Sequence, residues 1–210
     1  MLDAVNLLVQ THATAAWVLP AVVVLAALDG FLPPVPSESV VVALAAIGVA
    51  AHGPNLALLV GAAAAGAFLG DNLTYAIGRR GHLDRLAGAF GHRVLTATRS
   101  ASTAIAERGA PAILAARYVP VGRVVVNLAA GSAAFPRPRF AVLTGFGALL
   151  WAAYSVALGA FAGRLVPGGP LAAAAVGIAA GVALGVLADL LLRRRSGLLA
   201  GSPVPPGRSR

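Results

Sequence analysis

Two pairs of charged residues lie beside prolines within apolar parts of the chain. Asp29 and Glu38 enclose the run Gly-Phe-Leu-Pro-Pro-Val-Pro-Ser, and Arg117 and Arg123 enclose Tyr-Val-Pro-Val-Gly. A carboxyl group in an apolar setting can carry a proton, because desolvation disfavours its charged form. An arginine stays charged, and its planar fork fits phosphate or carboxylate oxygens. These residue types predict proton transfer on the first segment and anion binding on the second.

Each of these residues also has a structural interpretation. Glu38 precedes an apolar stretch, where an acid suits the N-terminal dipole of a helix, and Asp29 could be an interfacial acid. Arg117 and Arg123 could simply neutralise the two acids. We favour functional roles, because an ionised side chain at the bilayer centre costs on the order of 2.5–3.5 kcal/mol on insertion scales.

The prolines predict that neither segment forms a continuous helix. Pro33 and Pro36 belong to a group of three that removes backbone donors from the first segment, and Pro120 interrupts the second. Unsatisfied backbone cannot face lipid, so such breaks must be buried in protein or line a wet cavity. We therefore expect re-entrant hairpins at about 29–51 and 110–131.

The composition is that of an integral membrane protein. Of 210 residues, 59% are hydrophobic and 11% are charged, against about 25% charged in soluble domains. Stretches at 56–78, 140–163 and 171–192 exceed the roughly 20 residues that a spanning helix needs. The stretch at 13–28 is marginal and could be a short span or an interfacial helix. We expect an all-α fold in which a hairpin followed by a span occurs twice as an inverted repeat, with flanking helices.

Charge patterning predicts the topology and excludes some partners. The sixteen basic residues are all arginines, clustered at the ends of apolar stretches, so we place the linker 79–109 and the C-terminus in the cytoplasm. Residues 1–195 form one predicted transmembrane domain, and the Gly-, Pro- and Ser-rich tail 196–210 is predicted to be disordered. Four scattered histidines and no cysteine predict no metal site and no cofactor. We expect no nucleic-acid partner.

A third polar segment lies within the predicted span at 56–78. Asp71, Tyr75 and Arg79 follow i, i+4, i+8 spacing and share one helix face. Asp71 has either a functional role or a structural one as the partner of an arginine, and both interpretations stay open. A stripe of small residues on this helix allows close packing: Gly66, Gly70, Thr74 and Gly78.

Three motifs resemble the DedA (VTT-domain) family. They run from Asp29 to Glu38, from Phe68 to Arg79 in Phe-Leu-Gly-Asp-Asn-Leu-Thr-Tyr-Ala-Ile-Gly-Arg, and across the second proline segment. The resemblance covers about residues 15–165, and Asp29 stands where the family usually has Glu. It implies a bacterial inner-membrane protein with two opposed re-entrant hairpins. It also implies movement of undecaprenyl phosphate or phospholipid that depends on the proton motive force.

The resemblance assigns the four charged residues to the essential acids and arginines of the family. We therefore expect translocation of a lipid phosphate between leaflets, with Arg117 and Arg123 holding the head group and Asp29 and Glu38 coupling or gating by protonation. The expected supporting residues are Asp71, Tyr75, Arg79, Pro33, Pro36 and Pro120. A proton-coupled transporter of a small ion or drug is one alternative. A membrane enzyme acting on lipid phosphates is another, but we expect no enzyme, because no nucleophile–base pair is evident. The oligomeric state stays open.

Overall fold

Five helices of the described part of the chain position its charged clusters. The structure is a computed structural model that describes residues 13, 15–31, 37–50, 53–81, 96–103, 105, 113, 122–165, 172, 175–176, 178–179 and 183. The helices are α1 (Val18–Asp29), α2 (Ser37–Ala50), α3 (Leu56–Arg79), α4 (Gly122–Ser132) and α5 (Arg137–Leu165). All regular secondary structure in the described residues is helical, so the predicted all-α class is confirmed for this part of the chain.

Helices α3 and α5 are long and apolar enough to cross a bilayer. They contain 24 and 29 residues, against the roughly 20 required, and they match the predicted spans at 56–78 and 140–163. Large apolar side chains on both face outward, as contact with lipid requires: Leu58, Leu69 and Leu73 on α3, and Val142, Phe146, Leu149 and Phe161 on α5. The predicted span at 171–192 falls mostly outside the described residues.

Helices α1, α2 and α4 are too short to cross a bilayer alone. They contain 12, 14 and 11 residues, which at 1.5 Å per residue is about 16–21 Å against a hydrocarbon core of about 30 Å. The marginal stretch at 13–28 therefore holds a short helix. The proline-rich residues 32–36 and most of 110–121 lie outside the described part of the chain. Both re-entrant hairpins and the inverted repeat stay predictions.

Small residues of α3 set how closely α1 approaches. Successive turns of the two helices meet in order, and the pairs are Gly66 with Val23, Gly70 with Ala27, and Thr74 with Gly30. This order shows that α1 and α3 run in the same direction. A Cβ at Gly66 or Gly70 would collide with a carbonyl oxygen of α1, so glycine is required for this approach. The predicted small-residue stripe is confirmed as a packing surface.

Helix α4 runs parallel to α3, whereas α5 runs antiparallel to it. On α4, Arg123 reaches Ala67, and Gly131, two turns further on, lies against Tyr75. On α5 the order reverses. Phe140 stacks on Tyr75, with ring centroids 4.4 Å apart. Gly145, later in α5, lies beside Phe68, which is earlier in α3. The same end of α3 is therefore next to the end of α4 and the start of α5.

Helix α2 packs parallel to α5 through a second glycine contact. Gly159 lies against the carbonyl oxygen of Val42, and Gly163 lies against that of Ala46. Since α5 is antiparallel to α3, helices α1, α3 and α4 point one way and α2 and α5 point the other. The two helices that follow the proline segments, α2 and α4, thus run in opposite directions.

Gly131→Ala should destabilise the α3–α4 contact. A Cβ at Gly131 would collide with the Tyr75 carbonyl oxygen and lie 2.7 Å from the Arg79 backbone nitrogen. Backbone atoms cannot rotate away, so we expect the free energy of unfolding to fall by about 1–3 kcal/mol. Gly61→Ala is the control, since a Cβ there meets nothing within 4 Å and gains up to about 1 kcal/mol of helix propensity. Equal thermal unfolding temperatures for both variants in detergent would contradict this prediction.

Candidate functional site

A cluster of charged side chains joins α1, α3 and α4 around Asp71. Arg123 Nε donates to Asp71 Oδ1 at 2.6 Å, and Arg123 Nη1 donates to Asp29 Oδ2 at 3.2 Å. Its Nη2 donates to the carbonyl oxygen of Ala67 at 3.0 Å. The amide Nδ2 of Asn127 donates to the same Asp71 oxygen at 2.7 Å. Each nitrogen of the Arg123 guanidinium is therefore bonded to the protein itself.

The two acids of this Arg123 cluster differ in exposure. The side chain of Asp71 is 0% exposed, whereas that of Asp29 is 25% exposed and that of Arg123 is 14% exposed. A fully buried carboxylate is stable only when it is paired and hydrogen-bonded, and Asp71 receives two short hydrogen bonds. Asp29 makes the longer bond at the accessible side. Arg123 thus has one enclosed partner, Asp71, and one partly exposed partner, Asp29.

Local sequence explains how these side chains meet. Arg123 and Asn127 lie four residues apart on α4, so both project from one face of the helix toward Asp71. A Cβ at Gly30 would lie 2.9 Å from the backbone of Gly70, so the end of α1 touches α3 directly. That contact places the carboxylate of the last residue of α1 beside Arg123.

Glu38 lies apart from the Arg123 cluster. Its Oε1 accepts a hydrogen bond of 2.6 Å from the hydroxyl of Tyr154 on α5. Among the described residues no bond joins Glu38 to Asp29 or Arg123. Thr144, which approaches the cluster side of α3 at Asn72, is about ten residues from Tyr154 on α5, or about 15 Å along the helix. The two acids of the first proline segment therefore have separate partners, and Tyr154 is about three helical turns along α5 from the contact with Asn72.

Of the four charged residues beside the prolines, the structure brings Asp29 and Arg123 together. Glu38 has a different partner, and Arg117 lies outside the described residues, as do Pro33, Pro36 and Pro120. The roles assigned to these residues stay predictions. The structural interpretation of Asp71 as the partner of an arginine is the arrangement found.

Sequence reasoning assigned no role to two polar residues of these sites. Asn127 is a polar residue four positions after Arg123 in an otherwise apolar helix, and this spacing could have indicated a shared target. Tyr154 offered no such signal, because no charged residue lies three or four positions from it on α5. The hydrogen bond from Arg123 to the Ala67 carbonyl oxygen could not be predicted, because every residue has a backbone carbonyl.

Tyr75 and Arg79 form a separate polar group at the end of α3. The Tyr75 hydroxyl accepts a hydrogen bond from Arg79 Nη1 at 2.9 Å and donates one to the Phe135 carbonyl oxygen at 2.5 Å. Phe135 belongs to the turn between α4 and α5, where Ala134 has a positive φ of 53°. Tyr75 and Arg79, which were predicted to share a helix face, therefore stabilise this turn. Asp71 on the same helix belongs to the Arg123 cluster.

Tyr75→Phe should destabilise the protein without altering its packing. The ring stays stacked on Phe140, but the part-buried Phe135 carbonyl loses the hydroxyl that donates to it. We expect the free energy of unfolding to fall by about 0.5–1.5 kcal/mol, the usual net contribution of one hydrogen bond. Thermal unfolding in detergent measures this. The control is Leu73→Ala, an outward-facing change on α3, and an effect of Tyr75→Phe no larger than that of the control would count against this role.

Comparison with known families decides the classification. The profile of the VTT domain matches residues 34–161, which is more than half of the chain. The chain belongs to the VTT-domain family. This confirms the DedA resemblance inferred from the three motifs. The matched range includes Glu38, Asp71, Arg123 and Tyr154, while Asp29 lies just before it.

The mycobacterial relatives of this VTT-domain protein are named as membrane proteins. Uncharacterized membrane proteins of Mycobacterium tuberculosis and Mycobacterium bovis are each 32% identical over 172 residues, covering 78% of this chain and 77% of theirs. A Lactococcus lactis protein named alkaline phosphatase-like is 29% identical over 143 residues, covering 65% of this chain and 66% of its own. No solved structure matches. Together with the two apolar helices, these relatives make this VTT-domain protein a membrane protein.

Metal chemistry finds no support in the described residues. Across the described ranges no group of three or more His, Asp or Glu side chains is placed to hold a metal ion. The acids of the Arg123 cluster are bonded to a guanidinium instead. The described part of the cluster thus consists of a guanidinium, two carboxylates and an amide.

Proposed function

We propose that this VTT-domain protein translocates a lipid phosphate, either undecaprenyl phosphate or a phospholipid, between the leaflets of a bacterial plasma membrane. The supporting observation is the unequal pair of acids on Arg123. A phosphate oxygen can replace Asp29 at Nη1, because that bond is 3.2 Å long and lies at the accessible side. Asp71 keeps Nε in place at 2.6 Å meanwhile. The guanidinium thus stays oriented while one of its donors changes partner.

Coupling to protons follows from the same exchange. A proton on Asp29 removes the negative charge that occupies Arg123 Nη1. The head group then supplies a new negative charge to the same donor. A proton and a lipid phosphate would therefore enter the site together, and the charge around Arg123 would change little. Arg117 would add a second cation for the head group, and Glu38 would act elsewhere on the path.

The helix directions support the proposed inverted repeat. Helices α2 and α4 each follow a proline segment, are too short to span, and run in opposite directions. Two such broken segments, at about 29–51 and 110–131, suit a binding site between opposed halves of a transporter. We propose that both are re-entrant hairpins within a transmembrane domain of residues 1–195. The linker 79–109 and the C-terminus would then face the cytoplasm.

Hydrolysis of a lipid phosphate is the competing function that one relative favours. The Lactococcus lactis relative is named alkaline phosphatase-like. A hydrolase needs a nucleophile and a base to activate it, in addition to charges that hold phosphate. The Arg123 cluster supplies charges and donors only. We therefore propose transport without hydrolysis.

Reconstitution into liposomes tests the proposal. Purified protein is inserted into vesicles with labelled undecaprenyl phosphate or labelled phospholipid, with and without a pH gradient, and the exposure of the label at the outer surface is followed. We expect movement faster than in protein-free vesicles. No movement above protein-free vesicles in either condition overturns the proposal. Transport of a water-soluble cation without lipid movement would favour a small-ion transporter, and release of inorganic phosphate would favour an enzyme.

A further inference from the structure

The Glu38–Tyr154 pair bridges α2 and α5 at an outward-facing surface. The tyrosine hydroxyl donates to Glu38 Oε1 at 2.6 Å, across 116 residues of sequence. The residue Tyr154 is 40% exposed and shares its helix with the outward-facing Leu150 and Phe161. Its ring therefore lies at the apolar surface of α5, while its hydroxyl holds a carboxylate in the first turn of α2.

Glycine contacts fix α2 on α5 independently of this hydrogen bond. Gly159 and Gly163 lie against backbone carbonyls of α2 one and two turns beyond Glu38. Such close backbone contact sets the register and distance of the two helices by itself. The hydroxyl of Tyr154 is therefore not needed to assemble the interface, and its bond acts on the orientation of the Glu38 side chain.

The acids on the neighbouring helices α1 and α3 have partners elsewhere. Helix α1 carries Asp29 and helix α3 carries Asp71, and Arg123 on α4 binds both. On α5, Tyr154 is the group that reaches Glu38. Among the described residues, the hydrogen bond to Glu38 thus comes from a neutral phenol, whereas the acids of the cluster are bound by a cation.

A phenol suits an acid that gains and loses a proton. The hydroxyl of tyrosine donates to a carboxylate and can accept from a protonated carboxyl group, whereas arginine can only donate. Tyr154 can therefore keep a hydrogen bond to Glu38 in both states of the acid. An arginine at this place would favour the charged state alone.

We propose that Tyr154 is a positioning residue that holds the Glu38 carboxyl group on the α5 side, apart from the Arg123 cluster, in both its charged and its neutral form. The two acids of the first proline segment then have separate tasks. Asp29 exchanges with the phosphate at Arg123, and Glu38 is presented separately, beside the outward-facing surface of α5. The functional part of this inference rests on the proposed lipid-phosphate transport.

Transport by Tyr154→Phe in liposomes gives the first test. Losing one hydrogen bond to an ionisable group should lower the initial rate about three- to tenfold. Because Tyr154 acts through Glu38, the double variant Tyr154→Phe/Glu38→Gln should be no slower than Glu38→Gln alone. The control is Phe161→Leu, which changes another outward-facing ring of α5 and should transport at the wild-type rate. Wild-type transport by Tyr154→Phe, or multiplied losses in the double variant, overturns the proposal.

A spectroscopic readout separates this proposal from the transport proposal. The chain has three tyrosines, so Tyr154→Phe identifies the Tyr154 signal in an infrared or NMR spectrum of protein with isotope-labelled tyrosine. Glu38→Gln should shift that signal and leave the other two in place. If the wild type moves no lipid but the signal shifts, the pairing stands and the transport proposal falls. If Glu38→Gln leaves the signal unchanged, the pairing is wrong whatever the transport assay shows.

Discussion

Asp71→Ala is expected to lower the free energy of unfolding by about 3–5 kcal/mol, the range found when one partner of a buried ion pair is removed. Asp71 is fully enclosed and receives hydrogen bonds from Arg123 and Asn127. Its removal leaves the largely buried guanidinium with Asp29 as its remaining described carboxylate partner, at the longer distance of 3.2 Å. Chemical unfolding of the detergent-solubilised protein measures the change.

Two further variants separate charge from packing at Asp71. Asp71→Asn keeps an oxygen acceptor of the same shape but loses the charge, so its effect should be smaller than that of Asp71→Ala. Arg123→Met combined with Asp71→Ala removes both charges, and the pair should be less unstable than Asp71→Ala alone, as replaced buried ion pairs often are. A change below about 1 kcal/mol for Asp71→Ala would mean that the buried pair contributes little.

Arg123→Lys is expected to lower lipid-phosphate transport about 10- to 100-fold, the factor that corresponds to losing a charge-assisted hydrogen bond. Lysine keeps the positive charge but replaces the planar fork with a single ammonium. One ammonium cannot stay bonded to Asp71 while it offers a separate nitrogen to the phosphate. Arg123→Ala should reduce transport to the level of protein-free vesicles.

The control for this prediction is Arg164→Lys, an equally conservative change at an exposed arginine in the last turn of α5. It should transport lipid at the wild-type rate. Both proteins must be inserted in equal amounts, and protease protection in the same vesicles checks this. Wild-type transport by Arg123→Lys would show that the fork geometry is not used, and a point charge would then be sufficient.

Patterns within single helices predicted the features that depend on residues close together in the sequence. The spans at 56–78 and 140–163 follow from length and apolar composition, and the structure extends them to Arg79 and Leu165. The bond between Tyr75 and Arg79 follows from i, i+4 spacing. The stripe that begins at Gly66 follows from the recurrence of small residues. Each of these signals lies within a single helix.

Pairings between helices could not be predicted in the same way. The sequence contains Asp29, Glu38 and Asp71 as candidate partners for Arg123, and charge alone does not distinguish them. In the structure, Arg123 pairs with Asp29, which is 94 residues away in sequence, and with Asp71, which is 52 residues away. Asp29 reaches this position because α1 ends against α3 at Gly30. Glu38 is directed to Tyr154 by the register of α2 on α5. That register depends on backbone contacts, which single-helix patterns do not reveal.

The glycine contacts also indicate which helices are held rigidly together and which can move relative to one another. Backbone lies directly against backbone between α1, α3 and α4, and again between α2 and α5, whereas α3 meets α5 through side chains such as Phe68 and Phe140. Close-packed backbones deform little, so we expect two stiff blocks that shear along the α3–α5 seam. The Arg123 cluster lies wholly in one block and the Glu38–Tyr154 pair wholly in the other. Sliding at the seam would change the offset between these two acidic sites without breaking a bond within either.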